Sequence, residues 1–124
     1  MTASPEKIRE VIERYVARVA TGTTEEVLEL FAEGATVEDP IGTEVRTTRE
    51  AIRKLYSGLE GLEQAGDVLS VRIAGGEAAF LFELRTKAGE QTYTLSPIDV
   101  MTFDDDGLIT SMRAYWGESD LVVR

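Results

Sequence analysis

The first part of the chain repeats its apolar residues at helical spacing. Ile8, Val11, Ile12, Tyr15, Val16 and Val19 fall on one stripe, and Ser4-Pro5 ahead of them supplies an N-cap with proline at the first helical position. Thr21-Gly22 predicts the end of that helix. Thr23 and Glu26 have capping-box spacing before Val27, Leu28, Leu30 and Phe31, which predicts a second helix. Thr47 with Glu50 opens a third, carrying Ala51, Ile52, Leu55, Tyr56 and Leu59. Between the last two, Ala35-Thr36-Val37-Glu38-Asp39 is short and β-branched, and Pro40 stops it, so it reads as a strand.

From about Val68 the period changes to two. Gly75-Gly76, Ala88-Gly89 and Asp106-Gly107 are turn signals separating four strand-like runs, 67–74, 77–87, 90–104 and 108–117. Helices first and an antiparallel meander afterwards predict an α+β domain, with helices covering one face of a curved sheet. At 124 residues the chain is expected to form one domain over 1–124.

Composition narrows the chemistry. There is no Cys and no His, which removes thiol nucleophiles, disulfides, Ser-His-Asp machinery and the usual zinc sites, so no metal site is expected. Catalysis would have to run on carboxylates, hydroxyls, Lys, Arg or a bound cofactor. The net charge is -10, from 13 basic and 23 acidic residues spread along the chain. That field disfavours nucleic acid and anionic membrane, both of which are bound through clustered Lys and Arg. It favours a neutral small molecule or a protein partner. No apolar run approaches the ~18 residues of a membrane span, and the charged N-terminal segment lacks the apolar region of a secretory signal, so a cytoplasmic location is expected.

Some polar groups interrupt apolar stripes. In the run 90–104 one face carries Tyr93, Leu95, Pro97, Asp99, Met101 and Phe103, and the other carries Thr94, Ser96, Ile98, Val100 and Thr102. A carboxyl on the more apolar face loses water, which disfavours its charge and turns it into a neutral hydrogen-bond donor. The same alternation describes an edge strand with a solvated Asp face, and spacing leaves both readings standing. Tyr15 and Tyr56 lie on the stripes of the first and third helices, either as core aromatics or around a shared polar pocket. Phe80, Phe82, Met101, Met112 and Trp116 would line that pocket or fill the core. Asp39-Pro40 reads either as a plain turn or, with Asp39 on the strand face of Val37, as a carboxyl pointing into the same interior, with Glu38 turned to the surface. Two carboxyls in unlike surroundings can divide acid and base roles.

The stretch Ala35-Thr36-Val37-Glu38-Asp39-Pro40, with Arg14-Tyr15 upstream and Pro97-Ile98-Asp99-Val100-Met101 and Ser111-Met112-Arg113-Ala114-Tyr115-Trp116 downstream, resembles bacterial Δ5-3-ketosteroid isomerase from about residue 5 to 121. The resemblance implies the cone-shaped nuclear transport factor 2-like fold, with three helices on a strongly curved, mixed and mostly antiparallel sheet enclosing an apolar pocket. It implies Asp39 as the base moving a proton from C4 to C6 of a 3-oxo-Δ5-steroid, with Tyr15 and protonated Asp99 donating to the dienolate oxygen and Tyr56 supporting Tyr15. Phe80, Phe82, Met112 and Trp116 would contact the steroid rings, with Met101 in the same substrate-binding set. No cofactor is implied, and a homodimer is. Phe31 stands where some family members have a tyrosine, so the hydroxyl network would be shorter here. A cis Asp39–Pro40 bond and a trans one are expected on equal footing. The competing expectations are a non-catalytic carrier of apolar ligands, a related polyketide cyclase or dehydratase, and a dimerising interaction domain. Dehydratases of this fold commonly use a His, which this chain lacks.

Overall fold

The computed structural model describes residues 2–124. Among them, three α-helices precede or interleave with a seven-stranded sheet. Helix α1 (Pro5–Thr21) starts where Ser4 Oγ accepts the Lys7 N–H at 3.1 Å. It buries the predicted stripe, with Ile8 and Ile12 wholly enclosed. Helix α2 (Thr24–Leu28) carries the full capping box, Thr23 Oγ1 accepting from Glu26 N–H (3.2 Å) and Glu26 Oε1 from Thr23 N–H (2.8 Å). It stops at Leu28, and Phe31, expected at its end, instead opens strand β1 (Phe31–Glu38). Helix α3 (Arg49–Ser57) is capped by Thr48 rather than Thr47. Thr48 Oγ1 accepts the Ala51 N–H at 3.1 Å, and Glu50, needed for the expected capping box, pairs with Arg53 at 2.9 Å.

The remaining strands are β2 (Glu63–Ala74), β3 (Glu77–Ala88), β4 (Gln91–Leu95), β5 (Ile98–Phe103), β6 (Ile109–Tyr115) and β7 (Leu121–Val123). Their order is β1-β6-β5-β3-β4-β7, with β2 also on β3. Only β1–β6 is parallel, so the sheet is mixed and mostly antiparallel. The run 90–104 is two strands, not one. Pro97 has no N–H to give a ladder, its carbonyl accepts from Phe82 N–H at 3.2 Å, and the chain breaks there while staying along the one edge of β3 that β2 leaves free. The first half of β3 therefore pairs with β5 and the second half with β4. β2 begins four residues before the expected 67, and β7 was not anticipated. Register shifts in β1–β6, β2–β3 and β5–β6 bend the sheet.

The helices cover one face. On β3, Ala78, Phe80, Phe82 and Leu84 alternate inward and are buried, as are Asp99 and Met101 on β5 and Met112 and Ala114 on β6. Each large apolar side chain so enclosed contributes about 1.5–3 kcal/mol. At Gly66 a Cβ would stand 3.1 Å from Val16 Cγ1, so α1 lies against β2 as closely as a bare backbone allows. On the opposite face Ile98 and Tyr115, paired across β5–β6, are exposed.

Candidate active site

Tyr15 enters the interior from the middle of α1, and Tyr56 from the last turn of α3. Their hydroxyls lie 2.7 Å apart. Four rings, Phe31, Tyr56, Phe80 and Phe82, meet Tyr15 edge-on at centroid distances of 6.3, 6.1, 6.4 and 6.5 Å. Such contacts fix the plane of the phenol. Phe31 also sits 6.0 Å from Tyr56, filling by contact alone a place where a hydroxyl could have extended the chain.

Asp99 follows from the alternation of β5, beside Phe80 on β3. It is 1% exposed, and among the described residues its Oδ1 has no hydrogen-bond partner. Tyr15 bonds to Tyr56, not to Asp99. Burial pushes the Asp99 carboxyl well above the usual carboxylate range, and the charge of Asp39 pushes it further. Burial is also the first cause that raises the Tyr15 and Tyr56 phenols, so both stay neutral across the physiological range.

Asp39 follows the last residue of β1, in a cis peptide with Pro40. It is half-buried, and Trp116 Nε1–H donates to its Oδ1 at 2.9 Å. Burial raises its carboxyl, while the indole N–H and the positive charge of Arg46 pull the other way. Arg46 is held nearby by backbone pairing with Val37 and by donating to the Ala51 carbonyl at 2.8 Å. Glu38 lies outside the cavity and is tied to its neighbours. Its Oε2 accepts the Gly42 N–H at 2.9 Å, and its Oε1 lies 3.6 Å from Arg113.

These groups meet in one cavity of about 200 Å³. Buried Tyr15, Tyr56 and Asp99 form its floor, and half-buried Asp39 and Trp116 stand nearer solvent. Phe82 is in the wall as expected, but Phe80, Met101 and Met112 are not. At 1%, 0% and 1% exposure they are closed into the core behind it. The wall instead takes Val19, Leu55, Leu59, Leu84 and Leu95, which the sequence reading missed. Val19 stands one turn beyond Tyr15, Leu59 three residues beyond Tyr56, and Leu84 two beyond Phe82, so the periods that found the anchors also reach their neighbours. Chemically, the cavity offers the half-buried Asp39 carboxyl on one side and three buried oxygen acids, Tyr15, Tyr56 and Asp99, below, within apolar walls.

The fold is of the nuclear transport factor 2-like class. Residues 12–112 match the SnoaL-like domain, and the chain belongs to that family. It is 44% identical over 117 residues to a steroid Delta-isomerase from Nocardioides simplex, covering 94% of this chain and 95% of that one. It is 33% identical over 121 residues to epoxide hydrolase LasB from Streptomyces lasalocidi, of which it spans 42%. A solved structure of the epoxide hydrolase/cyclase-like enzyme SalBIII, described for pyran ring formation in the polyether salinomycin, superposes with a TM-score of 0.87 at 27% identity, over 96% of this chain and 97% of that one.

Proposed function

We propose that the protein is a cofactor-independent steroid Δ-isomerase, moving the C5–C6 double bond of a 3-oxo-Δ5-steroid into conjugation with the ketone. The observation that carries this reading is the placement of Asp39 opposite Tyr15 and the unpartnered, buried Asp99 in one apolar cavity. Asp39 takes the C4 proton and returns it at C6. Between these steps the negative charge lies on the former ketone oxygen. Tyr15 and neutral Asp99 donate to that oxygen, and Tyr56 donates to Tyr15, leaving the Tyr15 proton free for the ligand. Donors held in a dry site favour the charged intermediate over the neutral substrate, which lowers the barrier. The apolar walls suit a neutral ring system.

The near full-length 44% identity to the Nocardioides simplex isomerase supports this reading over ring-opening chemistry of the kind named for LasB, whose match spans under half of that protein. A homodimer through the outer sheet face is part of the proposal, supported by exposed Ile98 and Tyr115 in adjacent strands. No helix among the described residues is long and apolar enough to cross a membrane. The test is to mix the protein with a 3-oxo-Δ5-steroid and follow the conjugated enone by ultraviolet absorbance. Turnover well above buffer that vanishes in Asp39→Asn is expected. A wild-type rate equal to buffer would reject the reading in favour of a carrier.

A further inference from the structure

The cavity does not end where the sheet does. Strand register sets Gly66, Leu84, Leu95 and Leu121 side by side across β2, β3, β4 and β7, and sets Gln64, Thr86, Tyr93 and Val123 side by side two residues further out. Residues opposite one another in antiparallel strands share a face, and residues two apart on one strand share it as well. Leu84 and Leu95 line the cavity, so the outer row lies on the same face, just beyond its rim.

The two rows differ in chemistry. The inner row is apolar, and Leu121 at its end is 37% exposed, with Val123 in the outer row 44% exposed. The outer row is polar at its centre. Gln64 Nε2 donates to Thr86 Oγ1 at 2.8 Å, while among the described residues Gln64 Oε1 is buried without a hydrogen-bond partner. A buried acceptor left bare costs free energy that a donor arriving with a ligand would recover. The Tyr93 hydroxyl is already committed to Gln91 Oε1 at 3.2 Å, so it does not supply that donor.

Size brings a ligand to this row. The cavity of about 200 Å³ is below the ~300–1,000 Å³ of common small-molecule sites. A four-ring skeleton with its ketone at Tyr15 and Asp99 overfills it, and Leu84 and Leu95 are the wall residues that lead along the strands to the outer row. From Phe80, beside Asp99, to Thr86 is six residues, at most about 20 Å of strand, and the bend of the sheet shortens that path.

We propose that Gln64, oriented by Thr86, forms a distal subsite accepting a hydrogen bond from a hydroxyl on the ring farthest from the reacting ketone. The protein would then select D-ring hydroxysteroids over their D-ring ketones. The proposal rests on the steroid reading of the same cavity, and binding separates the two. Two phenolic steroids, one with a hydroxyl and one with a ketone on the D ring, are titrated calorimetrically into wild type, Gln64→Leu and Thr86→Val. The phenol takes the place of the dienolate, so no turnover is required. Wild type should bind the hydroxyl compound about tenfold more tightly, Gln64→Leu should bring the two within about twofold, and Thr86→Val should narrow the gap. Equal affinities in wild type, tighter binding of the ketone, no binding of either, or a preference untouched by the variants would overturn the subsite. The wild-type comparison decides even if a variant fails to fold. Enone formation with equal affinities leaves the isomerase and removes the subsite; selective binding without turnover does the reverse.

Discussion

Asp39 carries an indole N–H on its Oδ1 and keeps one flank towards solvent, whereas Asp99 is enclosed with its Oδ1 bare. These surroundings pull one residue type towards two proton affinities. In the proposed mechanism Asp39→Asn removes the acceptor but keeps the shape. Turnover should fall by at least about 10²–10⁴-fold while phenolic steroid still binds, as steady-state kinetics and a binding titration will show. Asp99→Asn keeps a donor and should be mildly impaired, and Asp99→Ala should lose about 10²–10³ in rate. Stability separates the same variants. The folded-state pKa of Asp99 is raised, so the native protein holds a proton that the unfolded chain releases above about 3.9. The stability this gives is full below the unfolded pKa and is lost as pH climbs towards the folded one. Thermal melts should therefore show Asp99→Asn gaining on wild type as pH rises from 5 to 8; a constant difference would mean Asp99 is already ionised in the fold. Trp116→Phe deletes the N–H that holds the Asp39 pKa down, so the acid limb of kcat/KM should move to higher pH.

At the scale of elements, periodicity carried most of what was readable. The stripes of α1 and α3 located Tyr15 and Tyr56, whereas the alternation of β5 left Asp99 either inside or on a solvated edge, and the fold buries it. Alternation gives the face of a strand but not the depth along it. Phe80 and Phe82 look alike in sequence, yet only Phe82 is in the cavity wall, while Phe80 is enclosed more deeply in the core. The break at Ser96-Pro97 was hidden for a related reason. Apolar and polar residues keep alternating through it, so only the missing proline N–H marks the change of partner strand. Helix caps were legible to within one residue, Thr48 replacing Thr47. Gly66 offered no signal at all, since its role depends on α1, which lies far from it in sequence. Gly66→Val should force α1 off β2 and cost about 1–3 kcal/mol in chemical denaturation, moving Tyr15 with it.

Across the whole molecule, Asp39 comes from one end of the sheet path and is gripped by Trp116, 77 residues later, through the parallel β1–β6 pair. If the outer face is the dimer contact, Ile98→Glu should shift wild-type dimer to monomer in sedimentation at equal concentration. Trp116 is the only tryptophan in the chain. Its fluorescence is therefore a built-in gauge of the site, reading the charge of the carboxylate it touches without label or substrate. An emission titration of the resting protein should follow the ionisation of Asp39 and lose that inflection in Asp39→Asn. Unfolding recorded at the same wavelength would report the moment Asp39 loses its anchor.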